Sequence, residues 1–317
     1  MLRIKYSGKA DIGKAFFKIY KFLKKNKTDI VHTHLFHASL SGLMAARAAG
    51  IKHRIHSRHH TTYNHDYFPN TVKYDKMVNS VSTRILAVSE TVKKVLVEKE
   101  NVNPDKVIVI NHGFNLSDFE DVDKARVSVL EKRYKSNGKD PVLGVISRYT
   151  HWKGIQHIIA AFKILLKEYS SAYLILANAK GDYEKELQSL LSELPPDNYI
   201  EIEFEEDLFA LYQLFDVFIH TPLDDHSEAF GQVYIEALAA GIPSVFSKSG
   251  IANEFIIDQK NALVVDHQNE EQIVAAVKRI LNDDELRSEL ISNGREDVKT
   301  KFDLPVMINA LEELYNN

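Results

Sequence analysis

The chain has 317 residues, enough for two α/β domains with separate cores, because single hydrophobic cores stop growing near that size. Apolar residues make up 44%, charged residues 26%, and the formal net charge is -4, which argues against a basic nucleic-acid binder and against a disordered polyelectrolyte. Cysteine is absent, so disulfide frameworks and thiolate zinc sites are excluded, and no apolar run reaches the roughly 18 residues of a membrane-spanning helix. With no secretory layout at the N-terminus, a cytoplasmic protein is expected, soluble or peripheral at the inner face of the membrane.

From Asp29 onward, short β-branched runs alternate with helical patterns, the signature of βαβ units around a parallel sheet. Asp29 to His34 predicts a strand, Ala38 to Ala49 a helix stopped by Gly50, and Arg54 to Ser57, Arg84 to Val88 and Val107 to Ile110 further strands. A helix through Val92, Val95 and Leu96 must finish before Asn103-Pro104. The charge-rich stretch 116–140, closed by the turn signal Asn137-Gly138, marks a domain boundary. A second alternation follows, with strands Val142 to Ile146, Tyr173 to Ala177, Ile200 to Phe204, Val217 to His220 and Ser244 to Phe246. Its helices are Ile155 to Leu166, Tyr183 to Leu194, Leu208 to Phe215 and Val233 to Ala240. The buried strands among them are short apolar runs rather than alternating ones, as expected where helices cover both faces. An amphipathic helix through Ile273, Val277, Ile280 and Leu281 and two further helical segments complete the chain. The expected division is 1–138 for the first domain, 139–302 for the second, and a C-terminal helix, 303–317, that can return to the first.

Open α/β sheets bind ligands beyond the carboxyl ends of their strands. Ser147-Arg148-Tyr149-Thr150-His151-Trp152-Lys153-Gly154 stands there, just before a helix. Arg148 and Lys153 bring two cations to a helix N-terminus, which already favours anions through its free N–H groups and dipole, so a diphosphate is the natural ligand. The alternative for both is a pair of solvated loop charges. After His220 comes Ser227-Glu228-Ala229-Phe230-Gly231-Gln232-Val233-Tyr234-Ile235-Glu236, with seven residues between the two carboxylates across a loop-to-helix junction. Glu236 can accept two hydrogen bonds from a vicinal diol such as ribose, and Glu228 can address sugar hydroxyls. Main-chain N–H groups around Ala229, Phe230 and Gly231 can approach ligand oxygens closely. A solvated helix face is the plain alternative for the two glutamates.

The segment Ser227 to Pro243 closely resembles the Glu-x7-Glu signature of retaining glycosyltransferases of family 4, also called glycosyltransferase group 1. Ser147 to Gly154 is similar to that family's Arg and Lys diphosphate motif, and Asn111-His112-Gly113-Phe114-Asn115 to its inter-domain strand end. Leu86 to Glu90 and Ser249 to Glu254 match family patterns as well. The resemblance covers nearly the whole chain and is strongest from Val142 to Val265. It implies a GT-B fold, two Rossmann-like doubly wound parallel-sheet domains facing across a cleft. It also implies transfer of a hexosyl unit from a nucleotide-diphosphate sugar, with retention of configuration, to a glycan or lipid-linked acceptor in polysaccharide biosynthesis. Carried over residue by residue, Arg148 and Lys153 stabilise the leaving diphosphate, Glu236 holds the ribose and Glu228 the donor sugar. No metal or other cofactor is implied, and no nucleic acid.

The first half carries His32, His34, His37, His53, His56, His59, His60 and His65. His32 and His34 share a strand face, a geometry open to metal, but no carboxylate accompanies them at ligand spacing. Ser57-Arg58-His59 resembles the family's Thr-x-His, whose histidine reaches the donor sugar, so His59 is the expected catalytic residue of the first domain, with His60 beside it; the alternative for His59 is a surface loop histidine.

Three departures from the pattern, and one further segment, bear on function. Family members open with a strand, a Gly-Gly loop and a helix before anything resembling Asp29 to His34. Here Met1 to Lys5 is at most a residual strand and the glycine loop of the acceptor side is missing, so a shortened chain or a second polypeptide supplying that part is expected. That leaves open a non-catalytic nucleotide-sugar-binding or scaffold protein as the alternative; a nucleotide-sugar epimerase fits the Glu-x7-Glu segment less well. Ala177-Asn178-Ala179-Lys180-Gly181 replaces Gly-x-Gly, and Phe204-Glu205 stands where Phe or Leu-Gly is common. Finally, Lys14 to Lys27 alternates lysines with Phe16, Phe17, Ile19, Tyr20, Phe22 and Leu23, a basic amphipathic helix suited either to packing on the sheet or to an anionic membrane surface.

Overall fold

In the computed structural model, which describes residues 2–5, 11–136 and 138–316, the chain forms two compact units, Met1–His112 with Met307–Asn317, and Gly113–Val306. The first unit holds a four-stranded parallel sheet of β1 (Ile30–His34), β2 (His53–Arg58), β3 (Arg84–Ala87) and β4 (Val107–Val109), in that spatial order. Residues 2–5 carry no strand pairing, so the residual strand expected at Met1 to Lys5 is not formed by the part of it that is described. The basic pattern at 14–27 becomes the helix Ile12–Lys25, which buries Ala15 and Leu23, with Leu23 clustered with Ala45, Ala46, Ala49 and Ile51.

The second unit holds β5 (Val142–Ile146), β6 (Tyr173–Ala177), β7 (Tyr199–Ile202), β8 (Val217–His220), β9 (Ser244–Phe246) and β10 (Leu263–Val264), all parallel. Their spatial order is β10-β9-β8-β5-β6-β7, the doubly wound order with one reversal, between β5 and β8. Both faces are covered by helices, so Leu143, Val145, Leu174, Leu176, Val217 and Ile219 lie within 2% exposure, each contributing about 2 kcal/mol of burial. Two parallel-sheet α/β domains are the fold class expected from the sequence.

Residues 113–138 group with the second unit, not with the first as their charge-rich composition suggested. The backbone shows why. Phe114 N–H donates to Phe302 O at 2.8 Å and Leu304 N–H to Phe114 O at 2.9 Å, stitching this segment to the end of the helix Asp284–Phe302. Phe119 then packs edge-on against Phe209, and Tyr173 Oη donates to Tyr134 O at 2.9 Å. The expected turn at Asn137-Gly138 falls partly outside the described residues. The strand expected to run to Phe204 stops at Ile202; Phe204 is 76% exposed while Glu205 turns inward to the Tyr134 hydroxyl and Arg133.

Candidate functional site

The strand order reverses between β5 and β8, where open sheets of this kind leave a crevice beyond the carboxyl ends of the strands, and both signature segments leave from there. The loop after β5 ends at Gly154, with φ 72°, where an added Cβ would lie 1.9 Å from the carbonyl oxygen of Thr221. Only glycine lets the two loops approach this closely. The helix Ile155–Leu165 starts directly after it, and the helix Gln232–Ala239 starts after Gly231, at φ 86°. Neither has a side-chain cap or an acidic residue in its first turn, so both N-termini keep the positive end of the helix dipole without a side-chain counter-charge of their own.

Lys153 and Glu228 meet in this crevice. Lys153 Nζ contacts Glu228 Oε1 directly, and the same oxygen lies 3.0 Å from His220 Nε2. Glu228 is 6% exposed, its backbone N–H donates to Ser249 Oγ at 3.0 Å, and Lys153 Nζ also stands over the Trp152 ring, 4.6 Å from its centre. Burial pushes the Glu228 carboxyl upward, but the Lys153 charge and the His220 hydrogen bond prevail and hold it at about 2. Burial lowers His220, against the pull of Glu228. The imidazole is held in turn by the edge of the Tyr234 ring at 4.9 Å, whose hydroxyl donates to Ser247 O at 3.0 Å.

Glu236, on the helix, faces the hydroxyl of the fully buried Tyr212, which donates to its Oε2 at 2.9 Å. Burial raises the Glu236 carboxyl and the Tyr212 bond partly offsets this. Arg148 is exposed, and among the described residues its guanidinium has no ion-pair partner. Phe230 sends its ring into the core beside Phe302, so it faces the crevice only with its main chain, as do Ala229 and Gly231. The structure therefore brings Lys153 and Glu228 into contact. The departures from the family pattern have local explanations: Asn178 adopts φ 58°, a conformation asparagine tolerates in place of glycine, and an added Cβ at Gly181 would lie 1.9 Å from Tyr149 O. His220 and Tyr212 bond the two glutamates and carry no mark in the sequence as site residues, beyond the lone imidazole that closes an otherwise apolar strand at His220, whereas Ser249, which holds the Glu228 main chain, lies in a stretch that matches family patterns.

In the first unit, His59 stands at the end of β2. His34 Nδ1 lies 3.2 Å from His59 Nε2, and the His59 and His112 rings stack at 5.4 Å. His32 and His34 do share a face, with ring centres 4.4 Å apart. Both nitrogens of His32 are occupied, by Tyr315 Oη and Ser57 Oγ, each at 2.7 Å. Burial, and the neighbouring imidazoles, depress His32 and His59 to about 4. Among the described residues only Asp224, Asp225 and His226, on the surface loop after β8, bring three possible metal-ligand atoms within 4.8 Å of one another.

Known proteins fit this arrangement. The family described as "Glycosyl transferases group 1" matches residues 128–297, more than half of the chain, and "Glycosyltransferase Family 4" matches residues 3–118. The capsular polysaccharide biosynthesis glycosyltransferase CapM of Staphylococcus aureus is 26% identical over 311 residues, covering 96% of this chain and 80% of that protein. The UDP-Gal:alpha-D-GlcNAc-diphosphoundecaprenol alpha-1,3-galactosyltransferase of Escherichia coli is 22% identical over 312 residues, 95% of this chain and 79% of that one. The crystal structure of Anabaena HepE in complex with UDP and glucose has the same fold, with a TM-score of 0.85 at 18% identity, covering 99% of this chain and 84% of that one. No helix among the described residues is long and apolar enough to cross a membrane. The chain belongs to the glycosyl transferases group 1 family and has its GT-B fold, with the signature glutamate and lysine joined at the switch point of the second sheet.

Proposed function

We propose that this glycosyltransferase moves a hexosyl unit from a nucleoside-diphosphate sugar to a hydroxyl of a glycan or lipid-linked acceptor, with retention of configuration. One observation carries the proposal: Lys153, Glu228 and His220 in contact, beside two uncapped helix N-termini, at the one reversal of strand order. Such a place suits a diphosphate flanked by hydroxyl-bearing groups. The names of the relatives support a nucleotide-sugar donor and a lipid-linked or polysaccharide product.

In the step we assign, the bond from the anomeric carbon to the diphosphate breaks and its electron pair stays on the phosphate oxygen. The acceptor oxygen bonds to the same face of that carbon, and its proton passes to the leaving diphosphate. Arg148 and Lys153 stabilise the charge that develops, Glu228 orients the sugar, Glu236 the ribose, the Ala229 to Gly231 main chain donates to ligand oxygens, and His59 contacts the sugar. Catalysis is then positioning and charge stabilisation, with no resident cofactor.

Calorimetric titration of UDP, GDP and their sugars tests this. Arg148→Ala and Lys153→Ala are expected to weaken diphosphate binding at least about tenfold while leaving nucleoside binding within about twofold. Glu236→Ala is expected to weaken both. Equal losses for nucleoside and diphosphate in the two cation variants would contradict the assigned roles. NMR of the product decides retention, and binding without turnover across an acceptor panel would favour a non-catalytic nucleotide-sugar binder.

We also propose peripheral contact with an anionic membrane from the cytoplasmic side. The helix Ile12–Lys25 leaves Phe17 63% exposed on a face that also exposes Lys14, Lys18, Lys21 and Lys24. Each lysine near an anionic surface contributes about 1 kcal/mol. The chain is expected to float with phosphatidylserine vesicles at low salt and not with phosphatidylcholine vesicles, and Phe17→Glu with Lys21→Glu to abolish flotation; flotation with both lipids, or with neither, would refute it.

A further inference from the structure

β2 ends at Arg58, and His59 and His60 follow it directly, yet the side chains of Arg58 and His59 go to different surroundings. His59 joins the imidazoles of His34 and His112. Arg58 is completely buried, 0% exposed, in a polar cluster to which no role has been given above. Its Nη2 lies 2.5 Å from Glu100 Oε1, and its Nη1 lies 3.4 Å from both Glu100 Oε2 and Asp75 Oδ1. Its Nε donates back to the main chain, to the carbonyl oxygen of His60, at 3.1 Å.

The rest of the cluster closes on the same short loop. Asn64 Nδ2 donates to Asp75 Oδ2 at 2.7 Å, and His60 Nε2 lies 3.4 Å from that oxygen. Asn79 Nδ2 donates to Glu100 Oε2 at 2.6 Å, and Asp75 and Asn79 both come from the helix Val72–Val81. His59 is thus bracketed: the residue before it supplies the guanidinium, and the residue after it is held at its carbonyl and at its ring. For stability alone, well-packed apolar side chains serve a buried site as well as or better than ions. What a guanidinium adds is a rigid planar fork of five N–H groups, able to hold a carbonyl and two carboxylates in one fixed geometry.

We propose that Arg58, braced by Asp75 and Glu100, is a positioning residue that fixes the His59–His60 main chain and thereby the aim of the His59 imidazole. The proposal deepens, and rests on, the sugar contact assigned to His59. Lysine cannot replace the fork: its single ammonium nitrogen offers no separate donor aimed at His60 O while also holding the two carboxylates in one plane.

The test uses the full chain and two variants, Arg58→Lys and Asn64→Ala, the second touching the cluster at its half-buried rim in case the first does not fold. Histidine-ring NMR is the primary readout. In both variants the His59 and His60 resonances are expected to shift or broaden while that of His220, in the second unit, stays in place. With whichever of UDP-glucose, UDP-galactose and GDP-mannose the unmodified chain turns over fastest, kcat is expected to fall about 10- to 100-fold with KM for the donor within about twofold. His59 resonances that superpose on those of the unmodified chain in every variant that folds would overturn the proposal. His59→Ala separates the two claims: if it leaves kcat unchanged, the role of His59 fails, whereas the clamp stands or falls on the resonances.

Discussion

Replacing Lys153 by methionine is expected to lower turnover at least about 100-fold and to destabilise the second unit by about 3 kcal/mol at neutral pH. Both effects come from one contact. Lys153 and Glu228 are 13% and 8% exposed, and the lysine charge is the largest influence holding the Glu228 carboxyl down against burial. Without it, Glu228 is a buried carboxylate whose remaining side-chain partner is His220, and it must either stay charged at a cost or take up a proton. The acid dependence follows. A carboxyl depressed from 4.5 to about 2 contributes stability that is present above 4.5 and lost as the pH falls toward 2, and Lys153→Met is expected to abolish that dependence. Adding Glu228→Gln to Lys153→Met removes the stranded charge, so chemical denaturation is expected to show most of the stability restored while turnover stays low. A single variant within about 0.5 kcal/mol of the unmodified chain, turning over normally, would refute the role proposed for this pair.

Lowering the pH from 7 to 5 is expected to destabilise the first unit by on the order of 3 kcal/mol, and more than the second. The cause is three imidazoles that folding keeps neutral. His56 is 4% exposed, bonded through Nδ1 to Ser39 Oγ at 2.9 Å, and is depressed to about 3 by burial and then by the Arg58 charge; His32 and His59 are depressed to about 4. Because these folded-state values lie below the unfolded 6.5, the unfolded chain binds protons first as the pH falls. Stability is therefore complete above 6.5 and declines below it, by up to about 1.4 kcal/mol per pH unit for each group. Solvent at the half-buried His32 and His59 reduces the sum to the figure given. In the second unit, burial depresses His220 but Glu228 opposes the shift. The single tryptophan, Trp152, lies in the second unit, so its fluorescence follows that unit while circular dichroism follows both. Dichroism is expected to move to lower denaturant before the fluorescence does. Coincident shifts would refute the assignment, and His56→Gln should flatten the slope.

Much of this protein was readable before its fold was known, and for a definite reason. Strands such as Val142–Ile146 and Tyr173–Ala177 are continuous apolar runs because helices bury both faces, and that local composition is visible in the chain itself. Lys153, Glu228 and Glu236 could be put forward as candidates because each signature is contiguous and sits beside a glycine or at a helix start whose backbone demands are local.

What depended on distance along the chain was not readable. Nothing in 113–138 announces that Phe114 pairs with Phe302 and Leu304, so its charge-rich composition suggested a domain end where the backbone makes a junction. Tyr315 approaches His32 across 283 positions, and the two-residue strand Leu263–Val264 is too short to show a period. The partners that set the charge of the site, His220 beneath Glu228 and Tyr212 against Glu236, are each an ordinary residue in its own segment. Only the packing of separate elements removes water from between them, and it is that removal that turns proximity into a fixed charge state.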